Sequence, residues 1–263
     1  MSLFHIAFYR FVTLPDPDAF ADHLRVLTRD LTGSVLVAEE GINGVLAGPA
    51  PALDAFEATL QADPRFAGMP FRRTACNTRP FARMKVHRKS EIVAVGRAGG
   101  QGMAGAAVSP EAWRELLGQE DVVVLDNRNA FEYRLGHFRG AVDPGVRNFR
   151  DFPEYVEASA AQWRAEGRRV AMYCTGGIRC DKTSGWMAGL GLEVLRLDGG
   201  ILNYFARMPD ADRDWAGECF VFDNRIALDT RLQETSTTPD DVYGADPAEA
   251  WRLARARRLD AGD

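Results

Sequence analysis

The stretch RRVAMYCTGGIRCDKTSGWMAGLG, residues 168–191, passes from an apolar run through a glycine-rich turn into a segment of helical composition. A continuous apolar run of this length reads as a strand buried on both faces, and such strands belong to parallel sheets with helices packed on either side. DVVVLD (121–126) is a second such run, and LEVLRLDGGILNYF (192–205) reads as strand, turn and helix. SPEAWRELLG (109–118), with Ser109 as cap and Pro110 in the first turn, and PEYVEASAAQWRAEG (153–167) have helical spacing. Strand and helix alternate, so this half of the chain is expected to form an α/β domain with helices on both faces of a parallel sheet.

The preceding half has a different rhythm. HIAFYRFVTL (5–14) is β-rich, and residues 16–31 carry Phe20, Leu24, Leu27 and Leu31 at helical spacing behind Asp16 as N-cap. GSVLVAEEGINGVLAGP (33–49) reads as two strands around a turn at Gly41–Gly44, and PALDAFEATLQAD (51–63) as a second amphipathic helix. Residues 70–95 return as extended chain, which completes a ferredoxin-like βαββαβ order. The expected organisation is a ferredoxin-like domain over 1–96, a Gly/Ala-rich linker over 97–108, a second α/β domain over 109–215 and a C-terminal extension over 216–263, where 248–259 has the composition of a short basic helix.

With 263 residues the chain can bury two cores of ordinary size. A net charge of −5 argues against wholesale attraction to nucleic acid but leaves room for a local basic patch. The start, MSLFHIAFYRFVTLPDPD, lacks the features of a signal peptide, and no apolar run approaches the roughly 18 residues of a membrane span. Four scattered cysteines do not make a secreted disulfide framework, so a cytoplasmic protein with reduced thiols is expected.

Cys174 stands where a buried parallel strand ends and a helix begins, the edge of α/β sheets at which sites are built. Gly176 and Gly177 let successive N–H groups point inward, and the helix N-terminus adds positive potential. Such a loop stabilises a thiolate, and Arg179 adds a fixed charge able to fork onto an anionic substrate. The ordinary alternative is a pair of cysteines acting as small core hydrophobes. A zinc site lacks its ligand spacing, and a standing disulfide is out of keeping with a reduced compartment. Four residues separate Cys174 from Arg179, one fewer than in protein tyrosine phosphatases, so the ring suits a sulfur atom better than a phosphate.

These residues carry a resemblance. DNRNAFEYRLGHFRGAV (126–142) and CTGGIR (174–179) resemble the signature and active-site loop of the rhodanese superfamily. Within it, AEEGINGVLAG, FARMKVHRKSEIV, YCTGGIRCDK, LDGGILNY and GECFVFDNRIAL together are similar to the bacterial rhodanese-like tRNA uridine hydroxylases over most of residues 1–226. The resemblance implies a rhodanese-like fold for 109–215. It implies oxygen-dependent hydroxylation of the wobble uridine at carbon 5, with Cys174 as thiolate or persulfide. Asp126 and Arg128 would brace the loop Thr175, Gly176, Gly177, Ile178 and Cys180. Neither metal nor flavin is implied; molecular oxygen and an unidentified reductant are the expected co-substrates. The implied partner is the tRNA anticodon region, with no membrane and no obligate protein partner. Many members carry a cysteine-rich C-terminal segment, whereas this sequence has no cysteine after Cys219. A plain sulfurtransferase, or a non-catalytic tRNA-binding redox module, would use the same cysteine.

A tRNA substrate gives meaning to the run from 72 to 89, where Arg72, Arg73, Arg79, Arg83, Lys85, Arg88 and Lys89 stand without an acidic residue, with Phe71 and Phe81 interleaved. Cations neutralise phosphates and rings stack on unpaired bases. The plain alternative is a charged strand edge. The arginines of the tail (Arg252, Arg255, Arg257, Arg258) are a weaker candidate. His137 reads as a turn residue before a strand, and Cys180 either as a resolving thiol or as a residue at a helix start.

Overall fold

The structure, a computed structural model, describes residues 3–96 and 103–260. It contains two compact units. One is built on the chain up to Ile92, with Phe222–Arg225 and the segment from Pro239; the other on Val93–Val221 and Ile226–Thr238.

The first unit runs β1 (Leu3–Phe11), α1 (Pro17–Leu27), β2 (Thr32–Ala38), β3 (Gly41–Pro49), α2 (Ala50–Ala62), β4 (Arg72–Cys76) and β5 (Met84–Arg88). Its sheet has the order β4-β1-β3-β2-β5, with β5 parallel to β2. The βαββαβ order is therefore present with one strand added. Asp16 caps α1 by accepting from Ala19 N at 2.9 Å, a contact typically worth about 1 kcal/mol. Ile6, Phe8, Val35, Val37, Ile42 and Leu46 pack with Leu24, Leu53 and Phe56 of the helices into one core.

Two local expectations are corrected. The β2–β3 turn is Glu39–Glu40, and Ile42, Asn43 and Gly44 lie inside β3. Gly44 is needed for space, since a Cβ there would sit 2.4 Å from the Phe8 ring. Residues 70–95 do not form one extended segment: they make β4 and β5, which flank opposite edges of the sheet.

The second unit has a four-stranded parallel sheet of order β6-β10-β9-β7. The elements are β6 (Ala106–Val108), α3 (Pro110–Leu116), β7 (Val122–Asp126), α4 (Ala130–Leu135), β8 (Gly136–Phe138), α5 (Phe152–Ala165), β9 (Arg169–Tyr173), α6 (Ile178–Gly189), β10 (Val194–Leu197) and α7 (Gly200–Arg207). Side chains alternate across the sheet. Val123, Leu125, Val170 and Met172 pack beneath Val156, Trp163 and Met187 of α5 and α6. Val122, Val124, Ala171 and Tyr173 pack beneath Trp113, Ile201 and Tyr204 of α3 and α7. Short pairs β11 (Trp215–Gly217) with β8, and β12 (Cys219–Phe220) with β13 (Ala227–Leu228), complete the unit.

The stretch read as a linker, 97–108, lies partly outside the described residues, and its end, Ala106–Val108, is a strand paired with β10. Residues 216–263 do not form a separate extension. Within the first unit Arg225 pairs with Asp223 at 2.7 Å and reaches Thr74 of β4 at 3.5 Å, which ties 222–225 to that sheet. The tail adds helices α8 (Pro239–Tyr243) and α9 (Ala250–Asp260). No helix among the described residues is long and apolar enough to cross a membrane.

Candidate active site

β7 and β9 are parallel neighbours in register, Asp126 opposite Tyr173. Their C-terminal ends deliver Asp126-Asn127-Arg128 and Cys174 to the same edge of the sheet, and Asn127 N donates to Tyr173 O at 2.8 Å. Beyond Cys174 the chain turns through Thr175, Gly176 and Gly177. Gly177 has φ 101°, a left-handed conformation open to glycine, and heads α6. Helix α6 begins at Ile178, two residues earlier than its composition suggests, so Arg179 and Cys180 lie in its first turn.

The loop converges on the Cys174 sulfur. Gly177 N donates to Sγ at 3.2 Å. Burial alone pushes the fully buried thiol up. It is overcome by the Cys180 thiol donating to Sγ, by the Arg179 charge, and by backbone N–H groups of Cys180 and Arg179, so the pKa falls from 9.0 to about 6. Cys180 moves the opposite way: burial, then the neighbouring Cys174 sulfur, hold it well above the ordinary thiol range. Two cysteines six residues apart thus become an anion and its hydrogen-bond donor. Both are free.

Arg179 does not present a free fork. Its Nη1 and Nη2 each donate to a carboxylate oxygen of Glu132 at 2.9 Å, and its guanidinium lies 5.9 Å from the Phe149 ring centroid. Glu132 is fully buried in the first turn of α4, where it also accepts from the backbone N and Nδ2 of Asn129 at 3.1 and 3.0 Å. Nη1 also reaches Asn127 O at 3.4 Å, and the Arg179 charge acts on the loop centre by its field, lowering the Cys174 thiol. Asp126 and Arg128 form a second buried pair, with Nη2–Oδ2 at 2.6 Å and Nε–Oδ1 at 2.9 Å. Arg128 Nη2 also donates to Gly136 O at 2.6 Å, and the guanidinium lies over Tyr173 and Trp215.

Three residues that sequence reasoning did not single out complete the site. Glu132 stands three residues after a capping Asn129 at the start of α4, a capping-box spacing that is the signal that could have found it. Asn127 directs Nδ2 to Thr183 Oγ1 at 3.1 Å and Cys180 Sγ at 3.7 Å. Gly200, with φ 66°, lets the start of α7 press on the loop, where Ile201 N and Leu202 N donate to the carbonyls of Cys174 and Thr175 at 3.0 and 3.1 Å. Thr175 and Ile178 are half-buried, and Gly176 faces open space. His137 lies within β8, its ring stacked on Tyr133 at 3.9 Å and its Nδ1 2.9 Å from Tyr133 O, so it is not a turn residue. Among the described residues no group of three or more His, Cys, Asp or Glu is placed to hold a metal ion.

The basic run 72–89 does not make one surface. Arg72 and Arg73 lie on β4, Lys85 and Arg88 on β5, and these are opposite edges of the sheet, with exposed Arg79 and Arg83 in the connection and Lys89 just past β5. Arg73 is paired with Asp54 and Glu57 at 2.7 and 2.8 Å. Phe71 packs against Phe8 and Phe56, and Phe81 lies over His5, so neither ring is a free stacking platform.

Comparison with known proteins gives this arrangement a family. Residues 4–92 match the model described as UPF0176 acylphosphatase like domain, and residues 109–207 match the Rhodanese-like domain. A protein of Jannaschia sp. named tRNA uridine(34) hydroxylase is 41% identical over 87% of this chain and 76% of its own length. Proteins of the same name from Anaplasma marginale and Synechococcus elongatus are each 44% identical, over 86% and 89% of this chain and 83% and 88% of their own lengths. On these matches, the chain belongs to the tRNA uridine(34) hydroxylase family.

Proposed function

We propose that this chain hydroxylates the wobble uridine of tRNA at carbon 5, giving 5-hydroxyuridine, with Cys174 as the reactive sulfur. One observation carries the reading. In a chain 41–44% identical to proteins named for this reaction, the cysteine of the rhodanese-type loop is held as an anion, with a pKa of about 6. The electron pair of that sulfur adds to carbon 6 of uracil, and the C5=C6 π pair moves toward carbon 5 and the conjugated carbonyl. Carbon 5 becomes electron-rich and attacks molecular oxygen. A two-electron reductant and three protons then leave one oxygen atom as the C5 hydroxyl and the other as water, and one of the three protons is returned in the next step. Loss of the C5 proton expels Cys174 and restores the double bond. Backbone N–H groups and the Arg179–Glu132 pair hold the sulfur anionic before attack and after expulsion.

Cys174 is fully buried, so the sulfur that meets a base must reach past its loop. A persulfide on Cys174 extends the nucleophile by one S–S bond, about 2 Å, along the loop axis. Nucleoside mass spectrometry of tRNA from cells lacking the gene, complemented with wild type or Cys174→Ser, tests the function. The expected result is 5-hydroxyuridine restored by wild type alone. Unchanged nucleosides in the deletion strain would refute the assignment, and restoration by Cys174→Ser would refute the role of the sulfur.

A further inference from the structure

The cations of the first unit fall into two classes. Arg73 is neutralised by Asp54 and Glu57, Arg88 lies 3.5 Å from both Asp18 and Glu39, and Arg257 is paired with Asp240. Arg83, Lys85 and Lys89 have no carboxylate at ion-pair distance among the described residues. They stand at alternate positions along β5 and its flanks, so with His87 they form a row on one face of the strand. Met84 and Val86, on the other face, pack against the core. At about 3.3 Å per residue the row from Arg83 to Lys89 extends about 20 Å. β5 is the last strand of its sheet, and Arg25 of α1 donates to Val86 O at 3.3 Å.

The tail brings further charge to the same place. The fields of Lys89, Lys85, Arg25 and Arg255 all reach His87, after burial the main influences on its ring. Cations from residues 25, 83–89 and 255 therefore gather at one sheet edge. Arg255 of α9 is exposed and has no carboxylate partner among the described residues. Trp251, one helical turn before Arg255, is 51% exposed, with the Arg252 guanidinium 4.3 Å from its ring centroid. Arg25 is paired with Asp22 and Arg88 lies near Asp18 and Glu39, but Arg83, Lys85, Lys89 and Arg255 have no such counter-ion among the described residues; like charges held together repel one another, and an extended polyanion relieves that repulsion. A row of cations beside an exposed indole matches a phosphate backbone carrying unpaired bases.

We propose that the β5 edge, with Arg83, Lys85, Lys89, Arg25 and Arg255, is a docking surface for the sugar-phosphate backbone of the RNA substrate, and that Trp251 stacks on one of its bases. This rests on the tRNA reading above and assigns the contact to one edge of the sheet and the tail helix. The test is binding of fluorescent tRNA to the full chain across a salt series, with tRNA hydroxylation measured in parallel. Each neutralised phosphate contact reduces the slope of log K against log salt by about one. The triple variant Lys85→Gln, Lys89→Gln, Arg255→Gln is expected to lose about three from the slope. Arg73→Gln, at the opposite edge with its charge already paired, is expected to keep the wild-type slope. Trp251→Ala is expected to weaken binding about tenfold at constant slope. A triple variant with the wild-type slope, while wild type binds and modifies tRNA, overturns the surface and leaves the tRNA reading standing. Wild type that neither binds nor modifies tRNA overturns both. Wild type that binds poly-glutamate as tightly as tRNA, with the same loss in the triple variant, overturns RNA as the occupant in favour of an acidic polypeptide.

Discussion

Arg179 and Glu132 face each other end to end, two guanidinium nitrogens on two carboxylate oxygens, both contacts 2.9 Å and both side chains buried. One residue comes from the first turn of the helix after Cys174, the other from the first turn of the helix after β7. The pair joins the two helix starts that frame the loop and fixes a positive charge beneath the sulfur. Removing one partner leaves the other charged and buried, which typically costs about 3–5 kcal/mol. Glu132→Ala is therefore expected to lower the denaturant midpoint sharply and abolish hydroxylation. Glu132→Gln keeps the shape and one acceptor and should fold better while remaining impaired. Arg179→Lys, which cannot make the bidentate contact, should not substitute for arginine. Full activity in Glu132→Ala would show that the pair does not set the loop.

Gly200 and Gly176 make a matched contrast. A Cβ on Gly200 would lie 2.3 Å from the Cys174 carbonyl oxygen, in a left-handed backbone conformation. That conformation alone costs a residue with a side chain roughly 1–2 kcal/mol, and the clash acts on the residue that carries the sulfur. A Cβ on Gly176 meets nothing within 4 Å. Gly200→Ala is expected to reduce hydroxylation by at least tenfold, the effect of about 1.4 kcal/mol, and to lower the melting temperature. Gly176→Ala is expected to fold as wild type. Equal tolerance at both positions would show that α7 does not support the loop.

How much of this was legible beforehand follows from the range of the interactions involved. Strand–loop–helix at Cys174 and the helical spacing of 16–31 are local, and the structure has β9, α6 and α1 there. The Gly41–Gly44 turn was misread because both glycines serve distant partners: Gly41 leaves room for Arg10 O of β1, and Gly44 for the Phe8 ring. Strand order is a long-range property, so a basic run continuous in sequence is divided between two edges of one sheet. Glu132 and Arg179 are 47 residues apart, and only the fold brings them together. A local repetition, by contrast, stands in the sequence itself. Asp126-Asn127-Arg128 and Asp223-Asn224-Arg225 adopt the same Asp–Arg clasp, with Nη2–Oδ2 distances of 2.6 and 2.7 Å, one in each unit.

The second clasp gives the first unit an acid sensitivity. His5 is held down to about 4 by burial first and by Arg225 second, against the opposing pull of Asp223 at 3.5 Å. Unfolded, His5 titrates near its ordinary 6.5. Between these values the unfolded chain binds the proton and the folded one does not, so the contribution is whole above 6.5 and is lost as pH falls toward 4. Unfolding free energy measured by denaturant is expected to decline across that window, and His5→Gln should flatten the decline. An unchanged slope in the variant would locate the proton uptake elsewhere.

The paired cysteines give the last prediction. Cys174 is lowered to about 6 while Cys180 stays a thiol, and each condition supports the other: a thiolate needs the donor, and the neighbouring charge keeps the donor protonated. The folded state thus carries a Cys174 anion that the unfolded chain, with its ordinary thiol, lacks until near pH 9. Its contribution to stability is complete above that value and falls away as pH drops toward 6. Thiolate ultraviolet absorbance, taken as the difference between wild type and Cys174→Ser, should rise through a midpoint near pH 6. Cys180→Ala removes the thiol donor and is expected to move that midpoint upward, leaving less thiolate at neutral pH and a slower enzyme whose activity recovers as pH is raised. Peroxide adds a second reading. Oxidation of Cys174 to the sulfenic acid, followed by attack of Cys180 sulfur with release of water, gives a reducible disulfide in wild type. Cys180→Ala should instead proceed to the irreversible sulfinic acid, resolved by intact-mass spectrometry before and after a thiol reductant. A midpoint and an oxidation product unchanged by Cys180→Ala would show that Cys180 is a packing residue of the α6 first turn, without influence on the sulfur beside it.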